Sequence, residues 1–144
     1  MNNKTVEQSL DTMETFLKLV QTAEEVSGCA YTHLKDFGLT VSQFGVLEAL
    51  YTKGAMCQKD IAEIIRKTTG NMTTVIDNLE KGGLAERRKD QNDRRFFTVS
   101  ITEKGMDLLN MVYDRYKNNV ERVMSRLGSE DRQSLVLILD KLGC

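Results

Sequence analysis

The chain contains no proline and no tryptophan, and among its 144 residues it has one histidine, His33, and three cysteines. Without proline nothing forbids long uninterrupted helices, and punctuation falls to ten glycines and to the residues that cap helices. Cys29, Cys57 and Cys144 are odd in number and lack Cys-x-x-Cys spacing, which argues against a disulfide framework and a structural zinc site. A metal sensor is disfavoured too, because Cys29 with His33 supplies two of the three or four ligands a site needs. No cofactor is therefore expected. No window approaches the roughly 20 apolar residues of a membrane span, and 1–14 is polar without a signal-peptide core. A cytoplasmic protein with no membrane partner is expected.

Charge of one sign is nearly absent in sum: 20 Lys and Arg against 21 Asp and Glu leave −1. The distribution is uneven. Between Lys53 and Arg95 ten basic and seven acidic residues give +3, so the remainder carries −4. The segment Glu86-Arg87-Arg88-Lys89-Asp90-Gln91-Asn92-Asp93-Arg94-Arg95 is the densest part of that window. A basic centre between acidic ends fits a polyanion-binding module, and equally a solvated charged surface.

The length fits one domain. From about Val6 to Leu34, Val6, Leu10, Met13, Phe16, Leu17, Val20 and Ala23 recur at helical spacing, and Asp36-Phe37-Gly38 ends that helix. Thr40 to Gln43 has the capping-box form, and Phe44, Val46, Leu47 and Leu50 give the next helix an apolar face up to about Gly54. Two short helices follow, Gln58 to Arg66 and about Thr69 to Lys81, joined by a very short turn and closed by Gly82-Gly83. That outline is a helix-turn-helix, shared by many helical hairpins.

Beyond it the period changes from helix to strand. Phe97, Val99 and Ile101 alternate with Thr98 and Ser100, Leu84 to Lys89 supplies a partner strand, and Asp90 to Asp93 the turn between them. A hairpin directly after a helix-turn-helix is a wing, with Arg94 and Arg95 at its tip. Arginine suits a narrow, negative minor groove. Thr102 then caps a long helix reaching Leu127, and Ser129 caps a last one whose run Leu135-Val136-Leu137-Ile138-Leu139 is apolar on more than one face. Such a helix is expected to be buried on several sides, which points to an interface between identical chains.

These elements and residues resemble the MarR family of winged helix-turn-helix transcription regulators over essentially the whole chain. The resemblance is carried by Leu39-Thr40-Val41-Ser42-Gln43-Phe44 with Val46-Leu47, by Gln58-Lys59-Asp60-Ile61-Ala62 and by Asp77 to Arg87. It is carried most specifically by Asp93-Arg94-Arg95 followed by Val99-Ser100-Ile101-Thr102-Glu103-Lys104-Gly105. It implies a mainly α fold with a small β-hairpin wing. In that fold 1–36 and 102–144 form dimerisation helices and 40–101 the DNA-binding lobe. It further implies a homodimer that represses transcription from a pseudo-palindromic operator of double-stranded DNA.

Carried onto this chain, the recognition-helix candidates are Thr68, Thr69, Asn71, Thr73, Thr74 and Asn78, with the backbone near Thr69 to Asn71 open to a phosphate. Thr74 departs from the family, which often has Arg there. Arg95 matches the wing residue that enters the minor groove, with Asp93 holding its guanidinium. Arg87, Arg88, Lys89 and Arg94 complete the wing set, as phosphate contacts or solvated strand charges.

Release is expected from a small aromatic or anionic effector or from thiol oxidation. Phe16, Tyr31, Phe44 and Tyr113 are candidate pocket aromatics, or core. Cys57 stands where an N-capping Ser or Thr is usual, and Cys29 lies four residues before His33, so that on one helix they share a face. Both thiols also fit as small buried hydrophobes. Two rivals remain at this stage: a winged-helix module that binds protein without reading DNA, and an enzyme with Cys29 as nucleophile and His33 as base.

Overall fold

The computed structural model describes residues 3–66 and 69–143, with side chains over 11–66 and 70–143. Thr68, Cys144 and the side chains of Val6, Leu10 and Thr69 therefore lie outside the described residues. The elements in order are α1 (Asn3–Tyr31), a 3-10 helix (Thr32–Phe37), α2 (Val41–Lys53), β1 (Met56–Cys57), α3 (Gln58–Ile64) and α4 (Thr69–Lys81). There follow β2 (Ala85–Lys89), β3 (Phe97–Ile101), α5 (Glu103–Met124) and α6 (Ser129–Leu142). None of the helices over the described residues is long and apolar enough to cross a membrane.

The chain folds as two compact units, His33–Arg115 and Met1–Thr32 with Tyr116–Cys144. In the first, Thr40 closes the capping box anticipated from sequence: its hydroxyl accepts from Gln43 N at 3.2 Å, and its own N–H donates to the Gln43 side chain at 2.9 Å. Phe44, Val46, Leu47 and Leu50 of α2 pack with Ile61 of α3, Met72, Ile76 and Leu79 of α4 and Val99 of β3 as fully buried core. The helix-turn-helix is thereby fastened to the sheet by apolar burial rather than by the turn itself.

The sheet has three antiparallel strands in the order β1-β3-β2. β2 and β3 pair from Ala85↔Ile101 to Lys89↔Phe97, and β1 adds Met56↔Val99 and Cys57↔Thr98. β1 went unread from the sequence because two residues carry no alternation. At the end of α4, Gly83 takes φ +70°, and Leu84 N–H to Leu79 O with Gly83 N–H to Glu80 O form a Schellman closure.

The wing is joined to α5 through the carbonyls that lead into β2. Leu84 O accepts from Thr102 N at 3.1 Å, while the Thr102 hydroxyl donates to Gly83 O at 2.7 Å and caps the helix by accepting from Gly105 N at 3.1 Å. Gly105 lies against the same spot, where a Cβ would sit 2.1 Å from Leu84 O.

In the second unit Tyr31 stacks on Tyr116 with ring centroids 5.5 Å apart, and Asn119 Nδ2 donates to Ala30 O at 3.5 Å. Two expectations are corrected here. The first helix ends at Tyr31 rather than Leu34, the chain tightening into the 3-10 helix, and the N-cap of α6 is Gly128, with Ser129 its first helical residue. α6 has no buried residue within the chain: Val136, Leu137 and Ile138 are 57%, 64% and 55% exposed. Met13, Phe16 and Leu17 of α1 are likewise exposed.

Gly105→Ala is expected to destabilise the chain by about 3 kcal/mol, because Leu84 O is held by Thr102 and cannot give way. Thermal unfolding of the variant would show a midpoint lower by on the order of 10 °C; an unchanged midpoint would mean the junction is slack.

Candidate nucleic-acid interface

α4 is divided cleanly along its length. Met72, Ile76 and Leu79 are completely buried, and Asn71, Thr73, Thr74 and Asn78 are all exposed. This is the three-and-four spacing of an amphipathic helix whose outer row is uncharged and hydrogen-bonding. Amides and hydroxyls of this kind match base edges in a major groove. Thr73 is tied at its base: Gln58 Nε2 of α3 donates to Thr73 Oγ1 at 2.6 Å.

The wing tip is built by two carboxylates. Asp90 accepts from Asn92 N at 2.8 Å and Asp93 N at 3.1 Å, with Thr98 Oγ1 further off at 3.4 Å. Asp93 accepts from Arg95 N at 3.1 Å and takes the guanidinium in a fork, Nε at 3.0 Å and Nη2 at 2.8 Å. The backbone N–H groups of Asn92 and then Asp93 hold the Asp90 carboxyl below its usual range, and Arg95, side chain first, does the same for Asp93. Lowered folded values mean that the stabilisation is present above the ordinary aspartate range and is lost only as the pH falls through it, so the tip keeps its form at neutrality.

Arg95 is thus pre-positioned, its side chain 85% exposed and bonded to Asp93 as the sequence implied. Arg94, Lys89 and Arg88 are also exposed, Arg88 pairing with Glu86 at 2.7 Å.

Arg87 differs from the role the sequence reading gave it. Strand parity places it with buried Ala85, opposite Val99, on the side of the sheet that faces α4. There its Nη1 binds both Asp77 and Glu80, its backbone N–H donates to Glu80 Oε1 at 2.9 Å, and Nη2 reaches Gln58 Oε1 at 3.4 Å. The guanidinium is therefore engaged within the protein, tying β2 to α4 and α3, instead of projecting with the other wing cations. Asp77, Glu80 and Gln58 were absent from the expected site. Their signal was present in the i,i+3 spacing of the two carboxylates and in the parity of β2.

The thiol expectations change as well. Cys57 is the N-cap of α3 with extended backbone, but its side chain makes no capping hydrogen bond. Cys29 and Cys57 are free and half-buried. α1 stops at Tyr31, so the helical spacing that was to align Cys29 with His33 does not extend to His33, which is buried in the 3-10 helix edge-on to Phe37. No group of three or more potential metal ligands occurs among the described residues. Of the candidate pocket aromatics, Phe44 is core at 1% exposure.

Arg87→Ala is expected to lower stability by about 1–2 kcal/mol, since it leaves Asp77 and Glu80 facing each other without a cation. Arg87→Lys should fall between, keeping the charge without the planar fork. Denaturant titration of the three proteins checks this; equal midpoints would show that the pairs are solvated and carry nothing.

The MarR family profile matches residues 39–96, the span from α2 to the wing tip. The HTH-type transcriptional regulator YkoM of Bacillus subtilis is 30% identical over 142 residues, covering 99% of this chain and 90% of its own. Among solved structures, a cysteine-to-serine mutant of MarR from E. coli complexed with operator DNA superposes with a TM-score of 0.83 at 17% identity, covering 92% of this chain and 95% of that one. Bordetella bronchiseptica BpsR, whose DNA binding is regulated by 6-hydroxynicotinic acid, gives 0.79 at 23% identity, covering 90% and 98%. With the profile spanning the helix-turn-helix and a regulator matched along nearly its whole length, the chain belongs to the MarR family of winged helix-turn-helix proteins and is a DNA-binding transcriptional regulator, not an enzyme.

Proposed function

We propose that the chain works as a homodimeric repressor on a pseudo-palindromic operator, with 40–101 reading the DNA and 1–36 with 102–144 holding the dimer. The observation that carries this reading is the polar outer row of α4, Asn71, Thr73, Thr74 and Asn78, beside a wing whose Arg95 is already clamped by Asp93. In this reading the outer row faces base edges in the major groove, with Thr68 and Thr69 kept as candidates from sequence alone, and Arg95 enters the neighbouring minor groove. Arg88, Lys89 and Arg94 face phosphates. Arg87 positions α4 rather than touching DNA.

The dimer is supported by the uncovered apolar run of α6 and the exposed Met13, Phe16 and Leu17 of α1, which an isolated chain would leave in water. Two-fold symmetry then separates the two recognition helices by one turn of DNA, about 34–36 Å. Operator binding implies work beside the chromosome, in the cytoplasm of a bacterium. A small aromatic or anionic effector is the release signal favoured here, in line with the ligand-regulated relative of the same fold. The half-buried free thiols of Cys57 and Cys29 supply the second reading, release by oxidation.

The test is selection from random duplexes with salt titration of the recovered site. A palindrome with half-sites one turn apart, and affinity falling steeply with salt, is expected. Arg95→Ala should weaken binding about tenfold. Asn71→Ala should cost about 1–3 kcal/mol at the operator and little on random duplex, whereas Lys89→Ala should weaken both alike. No enrichment at low salt, together with an indifferent Arg95→Ala, would overturn the reading and favour a protein-binding module. Reversible loss of binding in peroxide, restored by dithiothreitol, would replace the ligand with the thiols.

A further inference from the structure

Two phenylalanines at the wing tip have no role in the reading so far. Phe96 and Phe97 are 60% and 48% exposed, yet they differ in kind. Phe97 is the first residue of β3, in step with Val99 and Ile101, so it belongs to the row that contains the buried Val99 and only overhangs it. Phe96 precedes the strand and belongs to no such row. Its backbone is fixed on both sides: its N–H donates to Asp93 O at 3.0 Å, and its carbonyl accepts from Asp90 N at 2.9 Å. An aromatic ring is therefore held out from a rigid turn, immediately after the clamped Arg95 and two residues after the exposed Arg94.

We propose that Phe96 is an apolar wedge that enters the minor groove beside Arg95, so that the wing selects a deformable base step as well as a narrow groove. The inference rests on the DNA-binding reading of the wing. Phe96 follows Arg95 directly in the same turn, so a wing that delivers Arg95 to the minor groove brings the Phe96 ring to a neighbouring step. Phenylalanine is among the residues that partly unstack a step from the minor-groove side and kink the duplex. The steps that yield most easily are pyrimidine–purine, TA and CA/TG. The two preceding cations, Arg94 and Arg95, bring the ring to a polyanion; a ring set directly after two exposed arginines suits a second apolar surface less well.

The experiment uses the full-length protein and the operator recovered by selection, with the step under the wing set to TA or to AA and the adenine replaced by 2-aminopurine. Wild type should prefer TA by about tenfold, and 2-aminopurine fluorescence should rise on binding as the base unstacks. Phe96→Ala, which removes an exposed ring and leaves the fold intact, should lose both the preference and the fluorescence change while keeping the steep salt dependence. Phe96→Leu should retain part of each. If Phe96→Ala keeps the preference and the signal, the wedge is wrong although the wing still binds DNA. If it instead alters self-association in sedimentation with DNA binding unchanged, the ring contacts a second copy and the wedge is again wrong. Wild-type affinity in Arg95→Ala would remove the wing from the DNA altogether, a failure of the underlying reading that is separable from the Phe96 result.

Discussion

The Arg87 guanidinium, held between Asp77 and Glu80, sets how the recognition helix stands against the wing. It comes from the middle of β2, binds the outer turns of α4, and reaches Gln58 at the start of α3, which in turn holds Thr73. Three elements thus converge on one cation. A part-buried ion pair adds only modestly to stability, but a planar guanidinium with Nη1 on two carboxylates and Nη2 on Gln58 fixes direction as well as distance. In the proposed reading, the consequence for function is that a major-groove element and a minor-groove element are presented together. Binding then loses less conformational freedom than it would with a loose wing.

The same economy of movement recurs at both ends of the hairpin. At its base, Leu84 O is shared between the Thr102 N–H and the close approach of Gly105, so the start of α5 is locked to the residue that leads into β2, the partner of the strand α5 follows. At its tip, Asp90 and Asp93 replace the backbone pairing that a tight turn lacks, and the second of them also orients Arg95. An otherwise two-stranded ribbon, marginal in water on its own, gains β1 on its far side through Met56 and Cys57. That places Cys57 at a joint between sheet and helix-turn-helix.

What could be read from the sequence was whatever repeats locally. The apolar period of α4, the capping box of Thr40 and Gln43, the alternation of β3 and the Asp93–Arg95 pair all stood out, because each lies within a few neighbouring residues. Features that depend on partners far along the chain did not. β1 exists only because β3 is there to pair with it, and Gly105 matters only because Leu84, 21 positions earlier, closes on it. Arg87 looked like one more wing cation until the fold supplied Asp77 and Glu80. Ser129 looked like a cap because its hydroxyl suits that place, whereas the helix already begins at Ser129, with Gly128 as its N-cap. The apolar run of α6 was legible, and within the chain it stays exposed.

The central claim is that helix and wing engage DNA as one body, twice per dimer. Hydroxyl-radical footprinting of the wild-type complex on its operator, read alongside dimethyl sulfate protection of guanine N7 in the major groove, tests it most directly. The account predicts protected minor-groove sugars at two symmetric positions, one flanking each half-site, appearing together with major-groove protection at the same protein concentration. Major-groove protection without the flanking sugars, or flanking protection that appears only at higher protein concentration, would contradict it.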